Sequence, residues 1–200
     1  MPELSPKVLA RAMRMEEKHA TRRNLIVAAA KAEFAISGLG GTTMRGIAAA
    51  AGVTTGAIYP HFATKDELYS AVLEETLSDL DTYVADALTS ASDRCRGTRA
   101  LTAFFEFYAS RPDDLALGLY LYDGIGRSGL NPELNAHLNR LLLDVLNRIT
   151  EAYQADGQPD AAILTANGVS RAVGLLVMER TGRLKLIGMS AAELFHARNG

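Results

Sequence analysis

The 200-residue chain contains one cysteine and no tryptophan, and aromatic residues make up only 6% of it. A lone cysteine, Cys95, excludes an internal disulfide framework and fits a reducing compartment. No cleavable signal sequence is recognised, and no apolar run approaches the roughly 20 residues needed to span a bilayer. The sequence therefore predicts a soluble, cytoplasmic protein with no membrane partner.

The composition is otherwise that of a globular protein, with 48% hydrophobic and 22% charged residues. Its net charge of −2 conceals a strong asymmetry along the chain. Residues 1–65 carry nine Lys and Arg against four acids, a net +5, whereas the remainder carries twelve against nineteen, a net −7. This division favours a small module that faces a polyanion, attached to a larger body with another task.

Apolar residues recur at helical rather than alternating spacing, which predicts an all-α fold of about nine helices. Gly38 is suited to end the first helix in a left-handed conformation, and Thr64 to cap the start of a long one. Residues 1–20 are polar and contain two prolines, so they are expected to form a mobile or partly helical arm. The predicted helices cover residues 21–37, 43–51, 54–59, 65–89, 98–110, 112–124, 132–156, 159–182 and 190–198.

The two short helices predicted within 43–59 meet the steric demands of a helix-turn-helix. Ala48 is small enough for a close helix crossing, and Gly52 tolerates the left-handed turn four residues later. The positions that must be buried are apolar: Ile47, Ala51, Val53 and Ile58. The second helix opens on small and polar residues, Thr54-Thr55-Gly56-Ala57, as a helix that enters the major groove requires.

Residues 22–69 resemble the DNA-binding domain of the tetracycline-repressor (TetR) family of bacterial transcription regulators. The resemblance rests on the following segments: Ile26-Val27-x-Ala29-Ala30-x-x-x-Phe34, Thr42-Thr43-x-Arg45-x-Ile47-Ala48-x-x-Ala51-Gly52-Val53, and Thr54-x-Gly56-x-Ile58-Tyr59-x-His61-Phe62-x-x-Lys65-Asp66-Glu67-Leu68. Gly46 departs from the family, which usually has an acid there, so the reciprocal half of a capping box with Thr43 is missing. Pro60 is expected to end the recognition helix near Tyr59.

The resemblance implies three groups of DNA contacts. Phosphate contacts at the start of the second helix come from Thr42, Thr43 and Arg45. Base edges are faced by Thr54, Thr55, Gly56 and Ala57. Backbone clamps are Tyr59, His61 and Lys65, although His61 also fits a solvated turn histidine. For five further cations, a solvated face remains as plausible as DNA contact: Arg11, Arg14, Lys18, Arg22 and Arg23.

The resemblance divides the chain into an arm (1–20), a DNA-binding domain (21–66) and a helical effector-binding and dimerisation domain (67–200). A small, largely apolar effector would bind among the helices of 98–180, with core packing as the alternative role of each aromatic residue. The candidate ligand-binding residues are Phe104, Phe107, Tyr108, Tyr120, Asp123, Arg127 and Asn167. A homodimer would form through 159–182, where Gly168 and Gly174 allow close approach, and through either 132–156 or 190–198; an intrachain core is the alternative.

No catalytic or metal-ligating constellation accompanies these features. The four histidines lack the spacing of a helical zinc site, and no phosphate-cradling glycine motif follows a strand, so no cofactor or enzymatic activity is expected. The sequence thus predicts a sequence-specific DNA-binding transcriptional regulator, a repressor released from its operator by a small ligand that displaces helix 65–89. The rival is a helical small-molecule-binding or membrane-surface protein without DNA function.

Overall fold

The computed structural model describes residues 6–89, 95–119 and 130–197. Within these ranges the chain forms helices and no strands, which confirms the all-α prediction. The eight α-helices are α1 (Pro6–Gly41), α2 (Met44–Ala50), α3 (Lys65–Thr89), α4 (Arg96–Ser110), α5 (Pro112–Leu119), α6 (Pro132–Ala155), α7 (Ala161–Arg180) and α8 (Ala191–His196). Two 3₁₀ turns, Thr55–Ala57 and Leu184–Ile187, complete the described elements.

The chain divides into two compact units, Met1–Val72 and Leu73–Gly200, six residues later than the boundary expected from the sequence. Helix α3 contributes residues to both units.

The first unit is built on α1, which is longer than predicted. Its residues from Pro6 are already helical, which agrees with the partly helical alternative for the arm predicted over residues 1–20. The helical backbone is interrupted at Gly38, as predicted, but its φ of 65° is combined with a ψ of 172°, which lies outside the left-handed helical region expected for this stop. The side chains that close this unit's core are Ile26, Ala30, Phe34, Ile47, Ile58, Leu68 and Tyr69.

The second unit places α4 against both α6 and α7. Two glycines permit this close packing. A β-carbon at Gly97 would lie 2.1 Å from Cδ1 of Tyr153 on α6, and one at Gly168 would lie 2.3 Å from Cδ2 of Leu101 on α4. Gly168 therefore serves contact within the chain, which corrects its expected role at a dimer interface. Asp156 stabilises the start of α4 by accepting the backbone N–H groups of Arg96 and Gly97, at 3.0 and 2.8 Å.

Helix α7 also corrects the expectation about apolar runs. Over Ala161–Arg180 the most apolar stretch has a mean hydropathy of 1.5, so this helix is long and apolar enough to cross a membrane, and 22% of that stretch is buried. Its middle nevertheless carries Asn167, Ser170 and Arg171, and charged residues at that depth are costly. The Arg171 guanidinium donates to the carbonyl oxygens of Leu194 and Ala197 near α8.

Candidate DNA-binding surface and ligand cavity

The helix-turn-helix begins at Thr43, the N-cap of α2. Its hydroxyl accepts the N–H of Gly46 at 3.1 Å, so this cap forms without the reciprocal acid. Gly52 has a φ of 65°, and the N–H of Val53 returns to the carbonyl of Ala48 at 2.9 Å. The left-handed turn predicted from the sequence is confirmed.

The recognition segment is tighter than the predicted helix at 54–59. It forms a 3₁₀ turn over Thr55–Ala57 and then continues as turns through His61, whose N–H donates to Ile58 O at 2.8 Å. Ile58 is fully buried and anchors the segment. Among the predicted contact residues, this segment and the start of α2 expose Thr43, Arg45, Thr54, Gly56 and Tyr59, with Thr55 and Ala57 half-buried. Seven of the ten predicted contact residues therefore share one region of the first unit.

Thr42 does not belong to that exposed set. Its side chain is buried, and its hydroxyl donates to Gly38 O at 2.7 Å and lies 3.2 Å from Glu33 O. The predicted phosphate contact of Thr42 is corrected, because its hydroxyl ties the end of α1 to the start of α2 and its backbone N–H donates to Gly38 O at 3.2 Å.

Lys65 is likewise held within the protein. Its Nζ donates to Leu39 O at 2.6 Å and to Thr42 O at 3.0 Å. Leu39 is near the end of α1, and Thr42 lies between α1 and α2. The ammonium group satisfies backbone acceptors that a helix end leaves unpaired. The geometry gives Lys65 a positioning role ahead of α2 in place of the free phosphate clamp implied by the resemblance.

Lys65→Met, which keeps the length of the side chain and removes its donors, is expected to lower stability by about 1 kcal/mol, because both bonds are partly exposed. DNA binding should weaken equally for all sequences through misplacement of α2. Thermal unfolding and DNA titration measure the two effects, with exposed Lys185→Met as the control. Weakened DNA binding at an unchanged melting temperature would contradict the positioning role and would instead support a direct contact between Lys65 and a DNA phosphate.

His61 is half-buried and is not a freely solvated turn residue. Its ring lies 4.0 Å, centroid to centroid, from the ring of His19 on α1, and its Nδ1 is buried with no hydrogen-bond partner among the described residues. Burial lowers the pKa of His61, and the neighbouring His19, Arg22 and Arg23 lower it further. An anion placed here would reverse these electrostatic effects.

The second unit contains a cavity of about 370 Å³. Residues of α3, α4, α5, α6 and α7 form its walls: Leu73, Leu77, Phe104, Tyr108, Leu115, Gly118, Leu119, Asn135, Leu138, Asn139, Leu142, Leu146, Val169 and Val173. None of these side chains is charged. Burial, followed by the charge of Asp114, raises the pKa of Tyr108 well above its usual range, so its hydroxyl remains a neutral donor.

Only some of the predicted ligand residues line this cavity. Phe104 and Tyr108 line the cavity, whereas Phe107 is buried beside it, with its ring against Tyr83 and Arg111. Asn167 is exposed on α7 and is not a lining residue, which corrects its assignment. Tyr120, Asp123 and Arg127 lie outside the described residues. The leucines and valines of α3, α6 and α7 that line the cavity were not among the predicted ligand residues, because their spacing is also that of ordinary core positions.

Comparison with known proteins agrees with this geometry. The sequence profile of the bacterial regulatory proteins of the tetR family matches residues 26–72, which span the helix-turn-helix and the start of α3. Residues 26–72 are therefore a DNA-binding domain of the tetR family. This domain assigns the chain to DNA-binding transcriptional regulation rather than to enzymatic catalysis. Among the described residues, no three His, Cys, Asp or Glu side chains are grouped to hold a metal ion.

Two curated relatives differ in the direction of control. The transcriptional repressor KstR2 of Mycobacterium tuberculosis is 29% identical over 140 residues, which cover 66% of this chain and 69% of KstR2. The transcriptional activator FasR of Mycolicibacterium smegmatis is 39% identical over 87 residues, 43% of this chain but only 40% of FasR.

A solved structure extends the likeness in fold to most of the chain. The regulator FadR of Bacillus subtilis, in complex with stearoyl-CoA, aligns with a TM-score of 0.66 over 86% of this chain and 92% of its own. At 18% identity it supports the shared fold.

Proposed function

We propose that this tetR-family protein is a cytoplasmic, homodimeric repressor that leaves its operator when an elongated, apolar ligand fills the cavity of its second unit. The observation that carries the proposal is that one chain has both an exposed helix-turn-helix and a partly open apolar cavity lined by α3. The longer match to the repressor KstR2, which extends past the helix-turn-helix, favours repression over activation.

DNA contact is proposed for the exposed residues of the recognition segment and α2. Thr54 and Thr55 offer hydroxyls to base edges, and Arg45 lies in the first turn of α2, where backbone N–H groups also favour a phosphate. One such short segment reads only a few base pairs. A dimer reads two half-sites about 34–36 Å apart, or a multiple of that distance.

Roles within this surface are separable by substitution. Arg45→Ala is expected to weaken binding to all sequences about equally and to flatten the salt dependence by about one charge, because its partner is a phosphate. Thr55→Ala should cost most at one operator position, about 1–3 kcal/mol, because it touches a base edge. Titrations of labelled DNA from upstream of its own gene, at several salt concentrations, measure both, with exposed Arg140→Ala as the control. A uniform loss for both variants would contradict the assignment.

The ligand class follows from the lining. A volume of about 370 Å³ lies within the about 300–1,000 Å³ usual for small-molecule sites. The leucine and valine walls suit a hydrocarbon chain, while Asn135 and Asn139, both exposed on α6, supply amide groups for a neutral polar head. The absence of charge among these described lining residues argues against an ionised group deep inside.

Asn139→Ala is expected to weaken ligand binding by about fivefold to tenfold, the value of one hydrogen bond of about 1–1.5 kcal/mol. Stearate and stearoyl-CoA, the ligand found in FadR, serve as probes in calorimetry and thermal-shift measurements. Asn147→Ala on the same helix is the matched control, because Asn147 is exposed and does not line the cavity. If both variants lose affinity equally, the polar rim is assigned wrongly.

Helix α3 is proposed as the link from ligand to DNA. It is continuous from Lys65 to Thr89; Leu73 and Leu77 line the cavity, and Lys65 at its start holds two carbonyls ahead of α2. A ligand that shifts α3 would change the position of α2 through Lys65. A coupling of about 1–3 kcal/mol gives a 5–150-fold loss of operator affinity, and operator DNA must then weaken ligand binding by the same factor. A ligand that leaves operator affinity unchanged would rule out this mechanism.

A further inference from the structure

One basic face of the first unit lies outside the helix-turn-helix. Residues Met15, Lys18, His19, Arg22 and Leu25 follow one another at helical spacing along α1 and, together with Thr21 and His61, line a shallow pocket. Lys18, His19 and Arg22 are exposed, and no carboxylate contributes to this lining. Two cations, Lys18 and Arg22, and the imidazole of His19 therefore surround the imidazole of His61. No acid in the pocket lining offsets their positive charge.

His61 joins this face to the recognition segment. It lies two residues after the exposed Tyr59, and the His19 ring packs against it at 4.0 Å. The exposed region that carries Thr54 and Tyr59 thus continues onto the amino-terminal part of α1 within one unit. The buried, unpartnered Nδ1 of His61 is a polar atom that nothing in the described chain satisfies.

We propose that Lys18, His19 and Arg22 of α1, together with His61, form an additional phosphate-binding site that extends operator contact beyond the helix-turn-helix and makes DNA affinity depend on pH. This inference rests on the proposed DNA-binding function. The site takes backbone phosphates of duplex DNA, so it adds affinity for all sequences and no discrimination between bases.

The pH dependence follows from the groups that face His61. From α1 these are Lys18, His19, Arg22 and Arg23, the last with its guanidinium over the Phe62 ring at 5.1 Å. From α3 the Glu67 carboxylate comes near the same turn, where it accepts the N–H of Ala63. Burial and the neighbouring His19, Arg22 and Arg23 lower the pKa of His61 in the free protein. A phosphate bound beside this ring would offset the neighbouring positive charge and raise the pKa of His61, so DNA binding takes up a proton and affinity falls as pH rises.

The experiment measures DNA affinity of the full chain against pH and salt, with a labelled duplex from upstream of its own gene and a second duplex of unrelated sequence. Wild-type affinity for both duplexes should fall about tenfold from pH 6 to pH 8, as expected when binding is linked to the uptake of one proton by histidine. Lys18→Ala and Arg22→Ala should each reduce the salt dependence by about one charge on both duplexes. His19→Asn should flatten the pH profile.

Two controls separate this site from the rest of the protein. His196→Asn in the second unit removes an exposed histidine and should leave the pH profile unchanged, and the melting temperatures of the α1 variants should match the wild type because their side chains are exposed. If the wild type binds DNA while the α1 variants keep its salt and pH dependence, the additional site is refuted and the repressor function stands. If the wild type binds neither duplex, the proposed function itself fails.

Discussion

Ile163→Asp is expected to convert the protein to a monomer and to weaken operator binding by about 10²–10⁴-fold. A dimer whose two DNA-binding domains engage two half-sites gains that much affinity over a single domain. Ile163 is 59% exposed on α7. It shares a helix face with Gly174, where an added β-carbon would meet nothing within 4 Å, and Leu143 on the adjacent α6 is 53% exposed. These features favour α6 with α7 as the proposed dimer surface, since α8 has only six residues.

Sedimentation and DNA titration test this prediction in the same samples. Ile36→Asp is a matched control, because Ile36 is 81% exposed in the first unit and away from α6 and α7 in sequence. It should remain dimeric with unchanged melting temperature. An Ile163→Asp protein that stays dimeric would exclude this face of α7 from the interface, and a monomer with full operator affinity would contradict the need for two copies.

Gly97→Ala is expected to destabilise the second unit by about 3 kcal/mol, the upper end of the usual cost of overpacking. The new methyl group would lie 2.1 Å from Cδ1 and 2.3 Å from Cγ of Tyr153, a buried ring that cannot turn aside freely. Moving α4 away instead would strain the bonds from Arg96 and Gly97 to the Asp156 carboxylate. Alanine's better helix propensity, about 1 kcal/mol, offsets only part of this cost.

Chemical denaturation with urea measures the change, and Gly118→Ala is the control. Gly118 lies in α5 with nothing within 4 Å of an added β-carbon, so alanine there should be neutral or slightly stabilising. Equal stability of the two variants would show that α4 and α6 separate easily, and would contradict the close packing described for Gly97.

Local signals in the sequence predicted the helix ends well. Gly38 and Gly52 both have the positive φ expected of them, and the Thr64 hydroxyl accepts the N–H of Glu67 at 3.1 Å as a cap. These features depend on a few neighbouring residues, which a sequence displays directly. The 3₁₀ turn at Leu184–Ile187 was missed, because a single turn leaves too short a pattern to recognise.

Features that depend on distant partners were not predictable in the same way. The resemblance implies a phosphate contact for Lys65, whereas its ammonium group donates to carbonyls 26 and 23 residues away in the sequence. Gly168 and Gly174 have the same residue type on one helix, yet one faces Leu101 and the other faces outward. The cavity lining was obscured because leucines that line a cavity and leucines that fill a core share one periodicity.

The position of α7 has a consequence for the assembled protein. Val169 and Val173 are walls of the cavity, while Ile163 and Gly174 on the same helix face away from α4 toward the proposed partner subunit. In a dimer built on this face, a ligand would lie only one helix diameter, about 10 Å, from the neighbouring chain. The cavity and the proposed dimer surface would then share one helix, so α7 is the element through which any coupling between the two sites of a dimer would pass.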